Sequence, residues 1–167
     1  MCKWYCFHRQ PTITTTVKDK NNLLSHNNWS GTDYLKRPST GYVADGLTIE
    51  SSNDHSTNGE YCYKITNSKS GGVNFILENI PDSFLNGTTY TVNADFFVNN
   101  TRSVLFVQGI KNDSTTTAIS INVPKNNVLT PITSTFTLTS DYTSLRIAIM
   151  LVDEGITYMD NFNLIKN

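Results

Sequence analysis

Charge is what this chain has least of. Only 16% of its 167 residues are Asp, Glu, Lys or Arg, and the net charge is −1. No Lys or Arg run or stripe is present, so neither a nucleic acid nor an anionic membrane surface has electrostatic support as a partner. Cysteine is scarce as well. Cys2, Cys6 and Cys62 are an odd set, which is not a disulfide framework. Cys2, Cys6 and His8 are spaced loosely like metal ligands, but a fourth ligand is not evident. Free thiols in an N-terminal arm are the simpler account. No apolar run is long enough to span a bilayer. The opening Met1 to Gln10 is interrupted by charge and lacks the apolar region of a signal peptide, so no export by its own sequence is expected.

The missing charge is replaced by Asn, Thr and Ser, beside a hydrophobic fraction of 38%. These residues suit turns and strand surfaces and disfavour helix interiors. The stretch Tyr90 to Asn99 shows the pattern most clearly. Tyr90, Val92, Ala94, Phe96 and Val98 form one set, and Thr91, Asn93, Asp95, Phe97 and Asn99 the other. A period of two marks a strand with one buried face.

Similar short segments follow one another along the chain. Leu47–Glu50, Tyr61–Thr66, Val73–Leu77, Arg102–Ile110, Ala118–Val123, Ile132–Leu138, Leu145–Leu151 and Ile156–Ile165 all read as strands. Arg102–Ile110 is apolar on both faces, with Val104, Phe106 and Gln108 opposite Leu105 and Val107, so a central position is expected. Asn86-Gly87 reads as a tight turn into the Tyr90 strand. Pro81-Asp82 reads as a single helical turn at most, capped by Asp82. Asp153-Glu154-Gly155 predicts that the last two strands form a hairpin. The tally predicts an all-β antiparallel sandwich or barrel. Residues 1–20 differ from the rest, with Trp4, Tyr5 and Phe7 in a segment too short to bury them and a β-prone stretch from Thr12 to Lys18. They read either as a first strand of the sandwich or as a docking arm.

Four landmarks in order carry a family resemblance: Asn22-Leu23-Leu24, Gly59 to Ile65, Gly87 to Ala94, and Tyr158 to Leu164. Together they resemble carbohydrate-binding modules with a galactose-binding-like jelly roll, over residues 21–167. The resemblance implies an antiparallel jelly-roll β-sandwich behind an N-terminal arm, and a non-catalytic sugar-binding role. Members often carry Phe-Glu after the first strand, where the Glu helps hold a structural calcium. Trp29-Ser30 stands there in this chain, leaving Asp160 as the one matching carboxylate, which makes a poor calcium site. No cofactor is expected, and calcium is not favoured.

A sugar site needs an aromatic face for the ring's C–H groups and amides or carboxylates for its hydroxyls. Phe97 with Asn93 and Asp95 offers both, joined by Gln108 and Arg146 if their strands adjoin. Trp29, Tyr34 and Tyr42 in the long early loop are candidates to close one end. The opposing expectation is that Phe97 lies beneath a loop or the arm and binds nothing. No zinc-helix motif, nucleophile elbow or phosphate loop is present, and His26 and His55 stand in polar loops, so no enzyme is expected.

These features lead to an expected virion surface protein, a capsid decoration or tail adhesion subunit. Its arm (Trp4, Tyr5, Phe7) would engage other virion structural proteins, and its sandwich would face cell-surface glycans. The alternative is a free-standing or excised carbohydrate-binding module of a secreted or cell-surface protein.

Overall fold

The computed structural model describes residues 22–24, 45–57 and 61–167. The expected arm residues Trp4, Tyr5 and Phe7, the loosely spaced Cys2, Cys6 and His8, and the loop aromatics Trp29, Tyr34 and Tyr42 lie outside the described residues.

Nine strands appear among the described residues: β1 (Leu47–Ser52), β2 (Cys62–Asn67), β3 (Val73–Phe84), β4 (Thr89–Asn99), β5 (Ser103–Lys111), β6 (Ser114–Val123), β7 (Thr130–Thr137), β8 (Tyr142–Leu151) and β9 (Gly155–Lys166). They form two antiparallel sheets packed face to face as a jelly-roll sandwich. One sheet has the order β1-β2-β9-β4-β7 and the other β3-β8-β5-β6. The alternation along Tyr90 to Asn99 becomes a strict alternation of burial on β4. Tyr90, Val92, Phe96 and Val98 enter the core with Met159, Phe162 and Leu164 of β9. They meet Leu105 and Val107 of β5 and Leu145, Ile147, Ile149 and Leu151 of β8 from the other sheet. Burying the apolar row of every strand against its opposite number is what holds two such sheets together.

Asn22-Leu23-Leu24 takes a strand's seat beside the C-terminal half of β9, beyond the point where β2 stops pairing. The Leu23 amide donates to the Leu164 carbonyl at 2.8 Å. The buried Asn22 side chain accepts from the Leu24 and Leu164 amides at 3.2 and 3.1 Å and donates to Asn163 Oδ1 at 2.7 Å. Leu24 is then sealed in the core.

Two local expectations need correction. The last two strands are not a hairpin: β8 pairs with β3 and β5, and β9 with β2 and β4. The Asp153-Glu154-Gly155 turn crosses from one sheet to the other. A Cβ on Gly155 would land 2.5 Å from the Asn99 carbonyl oxygen, so this crossover packs tightly on the β4–β5 turn. Nor does Pro81-Asp82 open a helical turn. β3 continues through it to Phe84, with a register shift between Pro81 and Phe84. A proline can sit there because β3 is an edge strand among the described strands, where its missing N–H costs no ladder bond. Pro131 in the edge strand β7 obeys the same rule.

Candidate functional site

The residues singled out from the sequence divide between the two outer faces of the sandwich. Asn93, Asp95 and Phe97 leave β4 on the outer face of the five-stranded sheet. Gln108 of β5 and Arg146 of β8 are directly paired with each other, but on the four-stranded sheet. The two groups are therefore separated by the core.

The first face is largely closed by the chain itself. The turn between β1 and β2 folds over it. His55 stacks on Phe97 with ring centroids 3.8 Å apart and planes 16° from parallel. Tyr158 of β9 packs edge-on to both rings, at 4.6 Å from His55 and 5.7 Å from Phe97. Partial burial holds the Tyr158 phenol above its ordinary value, and the nearby Lys64 ammonium opposes that shift. Lys64 is itself tied to Glu50 at 2.6 Å.

The anchor of this cover is Asp160, only 2% exposed. Its carboxylate accepts from the Thr57 amide at 2.6 Å, the Thr57 hydroxyl at 2.8 Å and the Asn161 amide at 2.8 Å. Asn161 sits at positive φ, 52°, where β9 shifts register against β4. This bulge lets Met159 and Phe162 both face inward. The Asn161 side-chain amide then donates to Asp95 at 2.5 Å. Beyond it, Asn93 accepts from Thr133, and the pairs Thr91–Thr135 and Thr89–Thr137 join β4 to β7, hydroxyl to hydroxyl, at 3.0 Å each. The donors gathered on Asp160 are N–H and O–H groups. No cluster of three His, Cys, Asp or Glu occurs among the described residues. Both Asp160 oxygens are engaged by those donors within the chain.

The same turn explains Cys62. Its thiol is buried and donates to the Asp54 carbonyl at 2.8 Å. Burial, assisted by the charges of Asp160 and Asp54, pushes its pKa up to about 12. A thiol so protonated is no nucleophile.

The opposite face is an open groove of about 540 Å³. Its floor follows from strand register. Ile76 of β3, Ala148 of β8 and Phe106 of β5 are successive partners, forming an apolar stripe that runs across the strands. One flanking row holds Asn74 and Met150, and the other Asn79, Arg146 and Gln108. Thr115 of β6 completes the rim. Ile76, Phe106 and Met150 are half-buried, so their outer surfaces reach solvent. Three inter-strand steps of about 4.8 Å give a transverse width near 14 Å, room for more than one pyranose ring. Gln108 and Arg146 had been picked from the sequence. Phe106, Ile76, Met150 and Asn74 had not, although alternation already placed Phe106 on the same face as Gln108.

Chemically, the groove offers an apolar floor between rows of amides and one guanidinium. The other face offers polar groups already bonded to one another.

Three solved structures share this architecture. A domain of tailspike protein 4 from bacteriophage CBA120, described as enzymatically active, is 14% identical with a TM-score of 0.69. The match covers 88% of this chain, which spans only 22% of the tailspike chain. The module TmCBM61, solved in complex with β-1,4-galactotriose, is 12% identical with a TM-score of 0.56, over 87% of this chain and 99% of that one. A xylan-binding domain from Paenibacillus barcinonensis is 10% identical with a TM-score of 0.58, over 90% and 97% of the two chains. At such identities the likeness establishes the fold. No curated protein matches the chain. The sequence itself does match a family model, over residues 21–155, and that model is described as a carbohydrate binding domain. On the strength of that sequence match, which spans well over half of its length, the chain belongs to this family of carbohydrate-binding domains.

Proposed function

We propose that this chain is a non-catalytic glycan-binding domain whose ligand lies in the groove on the four-stranded sheet. One observation carries the reading: the stripe Ile76–Ala148–Phe106 crosses the strands between rows of hydrogen-bonding side chains and is left half-open. A sugar ring presents apolar C–H groups on its faces and hydroxyls on its edge. A flat apolar floor with amide rims complements both. Phe97, Asn93 and Asp95 are the poorer candidates, because His55 already covers Phe97, Thr133 bonds Asn93, and Thr57 and Asn161 bond Asp95.

The test is a glycan array followed by calorimetry on the hits. Phe106→Ala should abolish binding while leaving cooperative unfolding intact. Phe97→Ala should leave affinity within about twofold, since burial rather than ligand contact is its role. Loss of binding in Phe97→Ala but not in Phe106→Ala would move the site to the other face.

The wider setting we propose is the surface of a virus particle, as a capsid decoration or tail adhesion subunit. The phage tailspike likeness favours it. In that setting residues 1–20 act as a docking arm toward other virion proteins, and the sandwich faces host glycans. Deleting residues 1–20 should abolish incorporation into particles while sparing glycan binding. Normal incorporation of the truncated protein would rule out the arm as anchor.

A further inference from the structure

The groove contains one charged side chain, and it has no ion-pair partner among the described residues. Arg146 is the one charged side chain lining it. Its neighbours along the lining are Asn74, Gln108, Thr115 and apolar groups. Its Nε donates to Asn79 Oδ1 at 3.1 Å. No carboxylate is paired with it among the described residues, where the ion pairs are Lys64–Glu50 and Lys69–Asp45.

This arrangement differs from that of an ordinary surface arginine. The side chain is half-buried on a central strand, flanked by β3 and β5. The bond to Asn79 fixes the plane of the guanidinium through Nε. That leaves the outer edge, with the two Nη groups, for a ligand. Two parallel N–H donors match the two oxygens of a carboxylate, and such charge-assisted pairs are stronger than neutral hydrogen bonds. A half-buried position beside Phe106 and Ala148 also screens less than open solvent. A neutral sugar hydroxyl uses one of these donors at most.

We infer that the groove selects acidic saccharides, with Arg146 receiving the carboxylate of a uronic or sialic acid while the rest of the sugar lies on the Phe106–Ile76 stripe. This rests on the glycan-binding reading of the groove and names the ligand class within it. Gln108, paired with Arg146 on the next strand, is placed to bond a hydroxyl of the same sugar.

The experiment uses matched acidic and neutral probes on the full chain: sialylated glycans and their desialylated forms, glucuronylated xylo-oligosaccharides and unsubstituted ones, and oligogalacturonate with its carboxyl-reduced product. One acidic member of a pair should bind at least about tenfold tighter than its neutral partner, the scale of one charge-assisted contact. The preference should shrink as salt is raised. Arg146→Gln should bring the acidic probe down to the neutral level. Arg146→Lys, which keeps the charge but not the fork, should retain only part of the preference. Asn79→Ala, which keeps the guanidinium but frees it, should weaken the preference without removing it. Equal binding of acidic and neutral partners, or a preference that survives Arg146→Gln, overturns the inference while glycan binding stands. Binding of no probe at all, acidic or neutral, overturns both.

Discussion

Ser103 and Thr157 offer the sharpest test of how the two sheets are fixed to each other. Ser103 belongs to β5, under the groove, and Thr157 to β9 in the opposite sheet. Both are fully buried, at 0% exposure, and their hydroxyls meet at 2.6 Å. Each hydroxyl is the other's partner, and no buried side-chain polar atom among the described residues lacks one. Thr157→Val keeps the shape and strands the Ser103 hydroxyl in the core. An unsatisfied buried group costs about 1–3 kcal/mol. Ser103→Ala strands Thr157 and should cost about the same. The double variant removes donor and acceptor together, leaving a void of one oxygen, and should lie within about 1 kcal/mol of wild type. The singles should therefore sum to more than the double, by a coupling of at least about 1 kcal/mol. Urea unfolding of all four proteins, with unchanged m-values, measures this directly. In a chain of this size each kcal/mol should move the melting temperature by about 2–4 °C. Strict additivity would refute the reasoning, since it would mean that neither hydroxyl depends on the other.

Three further outcomes follow from named contacts. Gly109→Ala should destabilise by about 1–3 kcal/mol in chemical denaturation, because its Cβ would fall 2.4 Å from the buried Tyr142 ring. Asp160→Ala removes three short hydrogen bonds to a buried carboxylate and should cost about 2–4 kcal/mol, with Asp160→Asn milder because it keeps an acceptor. Releasing the β1–β2 turn in this way should leave glycan affinity unchanged, since the groove is on the other sheet. The Cys62 thiol, with a folded pKa of about 12 against an ordinary 9.0, keeps its proton where the unfolded chain loses it. Its contribution to stability is thus whole below pH 9 and is lost as pH rises toward 12. Over that window the stability gap between wild type and Cys62→Ala, followed by urea midpoints, should narrow.

The faces of the strands were legible in the sequence, while their partners were not. Alternation correctly sorted Tyr90 to Val98 into core and outer rows, because side-chain direction depends on period alone. It says nothing about which sheet a strand joins. Asp153-Glu154-Gly155 therefore read as a hairpin turn, although the chain changes sheets there. Whether the strands of Asn93 and Arg146 adjoin stayed open for the same reason; they do not, and the core lies between them. Phe97 and Phe106 are equivalent to a sequence reader: each is a lone aromatic on a strand's outer row. What separates them is nonlocal. His55 arrives on Phe97 from a turn more than forty positions earlier in the chain, and no period or propensity encodes that arrival.

The contrast between the two outer faces is what favours one of them in the proposed binding role. On the five-stranded sheet the donors and acceptors are paired internally: Thr57 with Asp160, Asn161 with Asp95, threonine with threonine across β4 and β7. A ligand there would have to break those bonds and lift His55 from Phe97 before making its own. On the four-stranded sheet the Phe106 stripe touches solvent and Arg146 has one neutral partner. Among the described residues, a ligand there meets side chains held by their strands, with the hydrogen bond from Arg146 to Asn79 engaging them. Binding free energy is what remains after such reorganisation costs. Two faces of similar composition thus differ in what they can bind because one has spent its hydrogen-bonding capacity on the fold.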